Sequence, residues 1–281
     1  MSDKGIANFP TEWRIESAHR IADTVAGTVY EVTRAGGEID IVKVLKKKTL
    51  ANNLRGVDFL EWRDGIGAIR VLARSDNVIL LEHAGKETLR DRLFSHGDAQ
   101  ATEIAAEVLM KYHRSSDVPP PATLQPLQRY FESLFRRAEA DRSQGIESTY
   151  LEGAATAEAL IADQRDVKPL HGDLHHENIM LGPRGWLIID PVGLIGDAAL
   201  DVANMFSNPL DRFDLTRSEE RIASMAEIFA KTLRRDVRTL LRYAFAYGCL
   251  SAAWHEEDGN EEECDNELKV VAALRSVLRQ A

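Results

Sequence analysis

Cysteine is scarce: Cys249 and Cys264 are the only two in 281 residues. Their spacing fits no zinc pattern, and two thiols do not make a disulfide framework, so a reducing, cytoplasmic setting is expected. No apolar run approaches 18 residues, which excludes a membrane-spanning helix. Met1 to Gly5 carry no apolar core of signal-peptide type, so no secretory leader is expected. Basic residues are the minority, 35 against 45 acids, leaving a formal charge of −10. Nucleic acid rewards basic surface, and the one basic run, Val42 to Lys48, is short and isolated, so no nucleic-acid partner is expected. An acidic chain instead attracts cationic small molecules over a modest range. Internal repeats and low-complexity segments are also missing, which excludes solenoids and disordered tails.

What is present is an ordinary globular composition, 44% apolar and 28% charged. A chain near 300 residues buries roughly 75% of its unfolded surface and needs no covalent staple. The first eighty residues read mainly as strand. Arg14 to Val32 ends in the β-branched and aromatic Thr28-Val29-Tyr30-Glu31-Val32, Gly36-Gly37 is a hairpin turn, and Ile39 to Leu45 is the next strand. Thr49 to Arg63 has helical spacing, and Ala68 to Ala73 and Asn77 to Glu82 give two more strands. After Gly85 helices dominate, at about 101–114, 124–142, 154–164, 218–233, 237–254 and 261–278, with Pro119-Pro120-Pro121 as a stiff loop between two of them. The expected organisation is α+β and bilobed: a small antiparallel-sheet lobe with one main helix over 1–83, and a larger, mainly helical lobe over 84–281. Ligands favour the crevice between such lobes.

The chemistry concentrates between Lys168 and Asn208. His171-Gly172-Asp173-Leu174-His175-His176-Glu177-Asn178 is followed by Leu187-Ile188-Ile189-Asp190-Pro191. Phosphoryl transfer requires a group that orients the nucleophile and oxygen ligands that hold magnesium on the phosphates. Asp173, Asn178 and Asp190 supply these, provided a short hairpin, turning at Gly182 to Gly185, returns Asp190 beside the loop. The competing reading is a His/Asp metal hydrolase with His171, Asp173, His175 and His176 as zinc ligands. It leaves Asn178 and the Asp190 hairpin without a role.

HGDLHxxN followed by IDP resembles the catalytic signature of the aminoglycoside phosphotransferases, relatives of the protein kinases. Phe59-Leu60-x-Trp62, Asp64-Gly65-x-Gly67-Ala68-x-Arg70-Val71-Leu72, Ser251-Ala252-Ala253-Trp254 and Asp258-Gly259 resemble its streptomycin 6-kinase branch, which is grouped with hydroxyurea phosphotransferases. The resemblance covers about residues 10 to 275. It implies a protein-kinase-like fold, ATP and magnesium, and phosphoryl transfer to a hydroxyl of a small, cationic acceptor. Asp173 is then the catalytic base or the residue that orients the nucleophile, Asn178 and Asp190 are the metal ligands, and His171 braces the loop. Lys43 meets the α- and β-phosphates, with Asp58 or Glu61 as its acidic helix partner. Thr24 and Thr28 lie where a phosphate-covering loop belongs, and Glu82 and Ala84 present backbone groups to adenine. On the acceptor side the resemblance points to Asp197, Trp254, Glu257 and Asp258, the Trp and acids suiting a cation. Kinase chemistry on another small metabolite and a catalytically silent nucleotide-binding pseudokinase are the alternatives. No long activation segment follows Asp190, which argues against a protein substrate.

Overall fold

The computed structural model describes residues 9–281; the reading of Met1 to Gly5 lies outside the described residues. The first lobe is built from strands β1 (Ile15–Asp23), β2 (Gly27–Arg34) and β3 (Ile39–Leu45), helix α1 (Leu50–Arg63), and strands β4 (Val71–Ser75) and β5 (Val78–Glu82). All pairings are antiparallel and the strand order is β1-β2-β3-β5-β4. The alternation of Ile39 to Leu45 (exposed, buried, intermediate, then two buried) shows why this segment is a central strand rather than an edge. Its Val42 packs on one face with Phe9, Trp13, Val32 and Leu80, in a small core separate from the main one.

The second lobe begins with β6 (Glu87–Thr88), α2 (Leu89–His96) and α3 (Asp98–Tyr112). After the proline loop come β7 (Gln125–Pro126), α4 (Leu127–Tyr130), α5 (Glu132–Gln144) and α6 (Thr149–Ala162). The motif region folds as β8 (Val167–Leu170), β9 (Ile179–Gly182), β10 (Gly185–Ile188) and β11 (Leu194–Asp197). A 3₁₀ turn (Ala198–Val202) leads to α7 (Ala203–Phe206), and α8 (Phe213–Thr216), α9 (Glu219–Leu233), α10 (Val237–Glu257) and α11 (Glu261–Gln280) complete the lobe. Among the described residues no helix is long and apolar enough to cross a membrane.

The expected single helix over 124–142 is two, α4 and α5, meeting at Phe131 outside ideal helical geometry. The helices α2, α7 and α8 and the short strands β6, β7, β8 and β11 were not expected. Each is too short for periodicity to declare. α2 does carry a local start signal, a capping box in which Thr88 and Asp91 satisfy each other's backbone N–H groups.

Two close approaches set the lobes against each other. Gly56 on α1 presses against the loop after Asp190: a Cβ there would stand 1.8 Å from the Pro191 carbonyl oxygen. Arg184, in the β9–β10 turn, reaches back to the first lobe. It donates to both carboxylate oxygens of Glu82 (2.7 and 2.5 Å) and to the carbonyls of Gly65 (2.8 Å) and Ala68 (3.0 Å).

Candidate active site

The catalytic loop is held from below by one buried side chain. Asp201 accepts hydrogen bonds from the His171 N–H (3.1 Å), the Gly172 N–H (2.8 Å), the Tyr112 hydroxyl (2.8 Å) and His113 (2.8 Å). Burial opposes its ionisation, but His113, His171 and the Gly172 N–H outweigh that and hold its carboxyl below the ordinary range. His171 braces the same loop. Its Nε2–H donates to the Ile189 carbonyl (2.8 Å), while its Nδ1 accepts from the Asp173 N–H (3.1 Å). This pattern assigns the tautomer, and burial keeps the ring neutral by lowering its pKa.

Asp173 therefore projects from a rigid base into the cleft. Its carboxylate accepts from Asn204 (2.8 Å) and, more weakly, from Asn178 (3.3 Å). Burial pushes the carboxyl up to about 6, against the pull of His171 and with help from Asp190. The side chain lies deep in the protein but is 39% open to the cleft, so water in the cleft reaches it. Asn178 also donates its amide to the Asp173 carbonyl (2.9 Å), and its Oδ1 has no partner among the described residues. Asp190 has a left-handed backbone, φ 53°, and pairs through Oδ1 with the Lys43 ammonium across the lobes. Its second carboxylate oxygen has no protein partner among the described residues.

Two cavities meet at Asp190, Pro191 and Asn53, which line both. The first, of about 520 Å³, is apolar, walled by Val29, Ile41, Ile69, Ile79, Leu81 and Ile189, with Lys43 at its inner end. Glu82 and Ala84 lie at its rim, and among the described residues the Ala84 N–H has no protein acceptor. The second, of about 560 Å³, contains Asp173 and is closed by α4, α5 and α10. Trp254 stands there edge-on to Tyr130 and Tyr247, with ring centroids 5.4 and 6.3 Å apart.

Several expected site residues stand elsewhere. Neither Asp58 nor Glu61 meets Lys43. Both face outward from α1 and pair with Arg74 at 2.9 and 3.4 Å. The face of α1 that lines the first cavity is Asn53, Gly56, Val57 and Leu60, and it carries no acid. Thr24 and Thr28 do not line either cavity. Thr24 closes its own hairpin with Gly27, and Thr28 bonds Asp23 at 3.5 Å. Asp197 is not a substrate group. It is fully buried, caps the 3₁₀ turn through the Ala199 N–H (3.0 Å) and pairs with Arg235 (3.1 Å). Glu257 does not line the second cavity but holds Ser133 and Arg136, which do, at 2.9 Å each, and Asp258 is exposed beyond it. α10 runs nearly a full turn past Trp254, and that turn takes its acids beyond the rim.

The zinc-ligand reading of the histidines fails on the same geometry. Both ring nitrogens of His171 are bonded within the protein. His176 is buried, and burial first, then the charges of Arg221 and Arg90, hold its pKa down at about 3. Among the described residues no three His, Cys, Asp or Glu side chains are arranged to hold a metal. Sequence reading also missed Asn204, Asn208 and Tyr130. The Asn208 amide donates to the Asn204 side-chain oxygen (2.8 Å), and the Tyr130 hydroxyl to the Gly172 carbonyl (2.7 Å). Asn204 and Asn208 sit at i and i+4, the one local signal that marked them as a pair.

A sheet-bearing lobe over a helical lobe, with a Lys–Asp pair spanning the cleft above a carboxylate loop, defines a small-molecule kinase of protein-kinase-like architecture, which draws its phosphoryl group from a nucleotide. Solved structures show the same fold. A choline/ethanolamine kinase family protein from Mesorhizobium loti superposes with a TM-score of 0.66 at 13% identity, over 96% of each chain. The aminoglycoside phosphotransferase APH(4)-Ia, solved as a ternary complex with ADP and hygromycin B, gives 0.62 at 14%, over 93% of this chain and 94% of that one. The family model for aminoglycoside/hydroxyurea antibiotic resistance kinases matches residues 12–259, and the chain belongs to that family. Streptomycin 3''-kinase of Klebsiella pneumoniae is 35% identical over 253 residues, covering 88% of this chain and 91% of that protein. Streptomycin 6-kinase of Streptomyces griseus is 24% identical over 278 residues, covering 96% and 88%.

Proposed function

We propose that the chain transfers the γ-phosphoryl group of ATP, with magnesium, to a hydroxyl of a streptomycin-like aminoglycoside, working between lobes that divide at residues 83 and 84. The observation that carries this reading is the position of Asp190, shared by an apolar cavity suited to adenine and a second cavity that holds Asp173. Adenine lies against Ile69, Ile79 and Leu81, with its edge toward the Ala84 N–H. Lys43 offsets phosphate charge. The free Oδ1 of Asn178 and the second oxygen of Asp190 are hard donors of the type magnesium prefers, so these two residues would hold it. When bound, the ion neutralises phosphate charge. Asp173 accepts a hydrogen bond from the acceptor hydroxyl and aligns its oxygen for in-line attack. Positioning and electrostatics supply most of the rate, because the transition state is loose. Trp254, flanked by Tyr130 and Tyr247, offers an aromatic face to a guanidinium or ammonium group.

Asp173→Ala tests the assignment. Turnover with streptomycin should fall by about 10³-fold while nucleotide binding persists. Asp190→Asn should instead weaken metal-dependent nucleotide binding. Mass spectrometry of the product should show one added phosphoryl group. An aminoglycoside that neither stimulates nucleotide consumption nor gains mass leaves the chain a kinase of some other metabolite or a silent nucleotide binder.

A further inference from the structure

The second cavity is not uniformly acidic. Arg55 enters it from α1 in the first lobe, and Arg129 from α4 in the second. Its other charges are Arg136, Glu132, Asp173 and Asp190. Arg136 holds Glu132 (3.6 Å) and Glu257 (2.9 Å), and Asp190 holds Lys43. Asp173 shares the cavity, but neither Arg55 nor Arg129 makes an ion pair with it or with any other acid among the described residues. Arg55 is oriented by two uncharged oxygens, the Gln125 Oε1 at 2.6 Å and the Asn52 Oδ1 at 3.0 Å, both bonded through Nη2. Gln125 is itself fixed by its N–H bond to the Gly193 carbonyl (3.1 Å). The buried Nε of Arg55 has no partner, and Arg129 makes no ion pair or side-chain hydrogen bond among the described residues. Burial and the charge of Arg129 both push the Arg55 guanidinium's pKa down.

Two unpaired guanidinium groups on opposite lobes repel each other, and an anion between them converts that repulsion into a bridge. The guanidinium fork matches the oxygens of carboxylate and phosphate. Arg55 is pre-aimed, so little of its side-chain freedom is lost on binding. We propose that Arg55 and Arg129 form an oxyanion subsite at the acceptor end of the cleft, which takes a carboxylate or phosphoryl group. The acceptor pocket is then bipolar: the Trp254 corner receives a cation and the arginine pair an anion. This rests on the second cavity being the acceptor site, and it extends the acceptor class to hydroxylated compounds that carry an acid. The anion is either a carboxylate the acceptor brings or the phosphoryl group it has just received.

The test is binding of inorganic phosphate to the full chain loaded with magnesium and the non-hydrolysable analogue AMP-PNP, which fills all three of the nucleotide's own phosphate positions. Calorimetry should find a phosphate site that Arg55→Gln and Arg129→Gln each weaken at least tenfold and that Arg129→Lys weakens less, with circular dichroism unchanged in all three. Phosphate binding that neither glutamine variant alters, or no phosphate binding at all, overturns the proposal. Gluconate and sorbitol separate the sources. Arginine-dependent binding of gluconate but not sorbitol assigns the site to an acceptor carboxylate. Arginine-dependent phosphate binding without gluconate binding assigns it to the transferred group. The readout needs no turnover, so a chain that binds phosphate here yet phosphorylates no aminoglycoside refutes the function proposed above and leaves this site standing.

Discussion

Glu267 on α11 is a carboxyl with almost no solvent, 4% exposed, and its hydrogen-bond partner is the Ser207 hydroxyl at 2.6 Å. Burial pushes it from an ordinary 4.5 up to about 7, with Ser207 pulling the other way. Between those values the unfolded chain ionises and the folded chain does not. The folded state then holds the extra proton, so stability falls as pH rises. The contribution is intact below about pH 4.5 and is lost by the time pH passes about 7. A gap of that width is worth roughly 3 kcal/mol. Glu267→Gln keeps an oxygen for Ser207 and cannot ionise. Relative to wild type it should gain about 2 to 3 kcal/mol between pH 5 and pH 8, or several degrees in Tm for a chain of this size. Urea unfolding at both pH values measures the difference. A variant whose stability tracks wild type in parallel across that range would show that Glu267 does not titrate there, and the account of its burial would be wrong.

Asn204→Ala removes a donor that favours the ionised form of Asp173, so the carboxyl should rise from about 6. The acid limb of the pH–rate profile should move up by about one pH unit, the scale of a charge-assisted hydrogen bond in a solvated cleft. ATP's own ionisation is common to both proteins and cancels in the comparison; an unmoved limb argues against Asp173 as the titrating group. Arg184→Ala strips Glu82 of its charge partner and should cost about 2 kcal/mol in urea unfolding. It should also raise the KM for ATP more than it lowers kcat, because Glu82 lies at the rim of the first cavity; equal losses in both would place its effect elsewhere.

Much of this organisation was legible in the amino-acid order. Ile39–Leu45 was bounded correctly as a strand because its pattern of exposure is local. The three long helices α9, α10 and α11 were placed within a few residues because each has a long apolar face. Asp173 and Asp190 reach one cavity, and Asn178 bonds the Asp173 carboxylate, because one loop and one hairpin of four-residue strands join them. What failed depends on which way a side chain turns. Asp58 and Glu61 are as acidic as the expected partner of Lys43, but their helical phase aims them at Arg74. Asp197 has a carboxylate in a motif, yet its fate was decided by Arg235, far along the chain. Arg55 and Arg129 are 74 positions apart in sequence, and only the closure of two lobes makes them neighbours.

Asp201 separates two design problems. It pins the reacting loop to α3 and to the 3₁₀ turn beneath it, whereas the second cavity is walled from α1, α4, α5 and α10. Apart from Tyr130, which donates to the Gly172 carbonyl, the helical residues of that wall can be replaced without touching the loop's foundations. A lineage built this way diversifies by repainting one wall while the machinery behind it stays still.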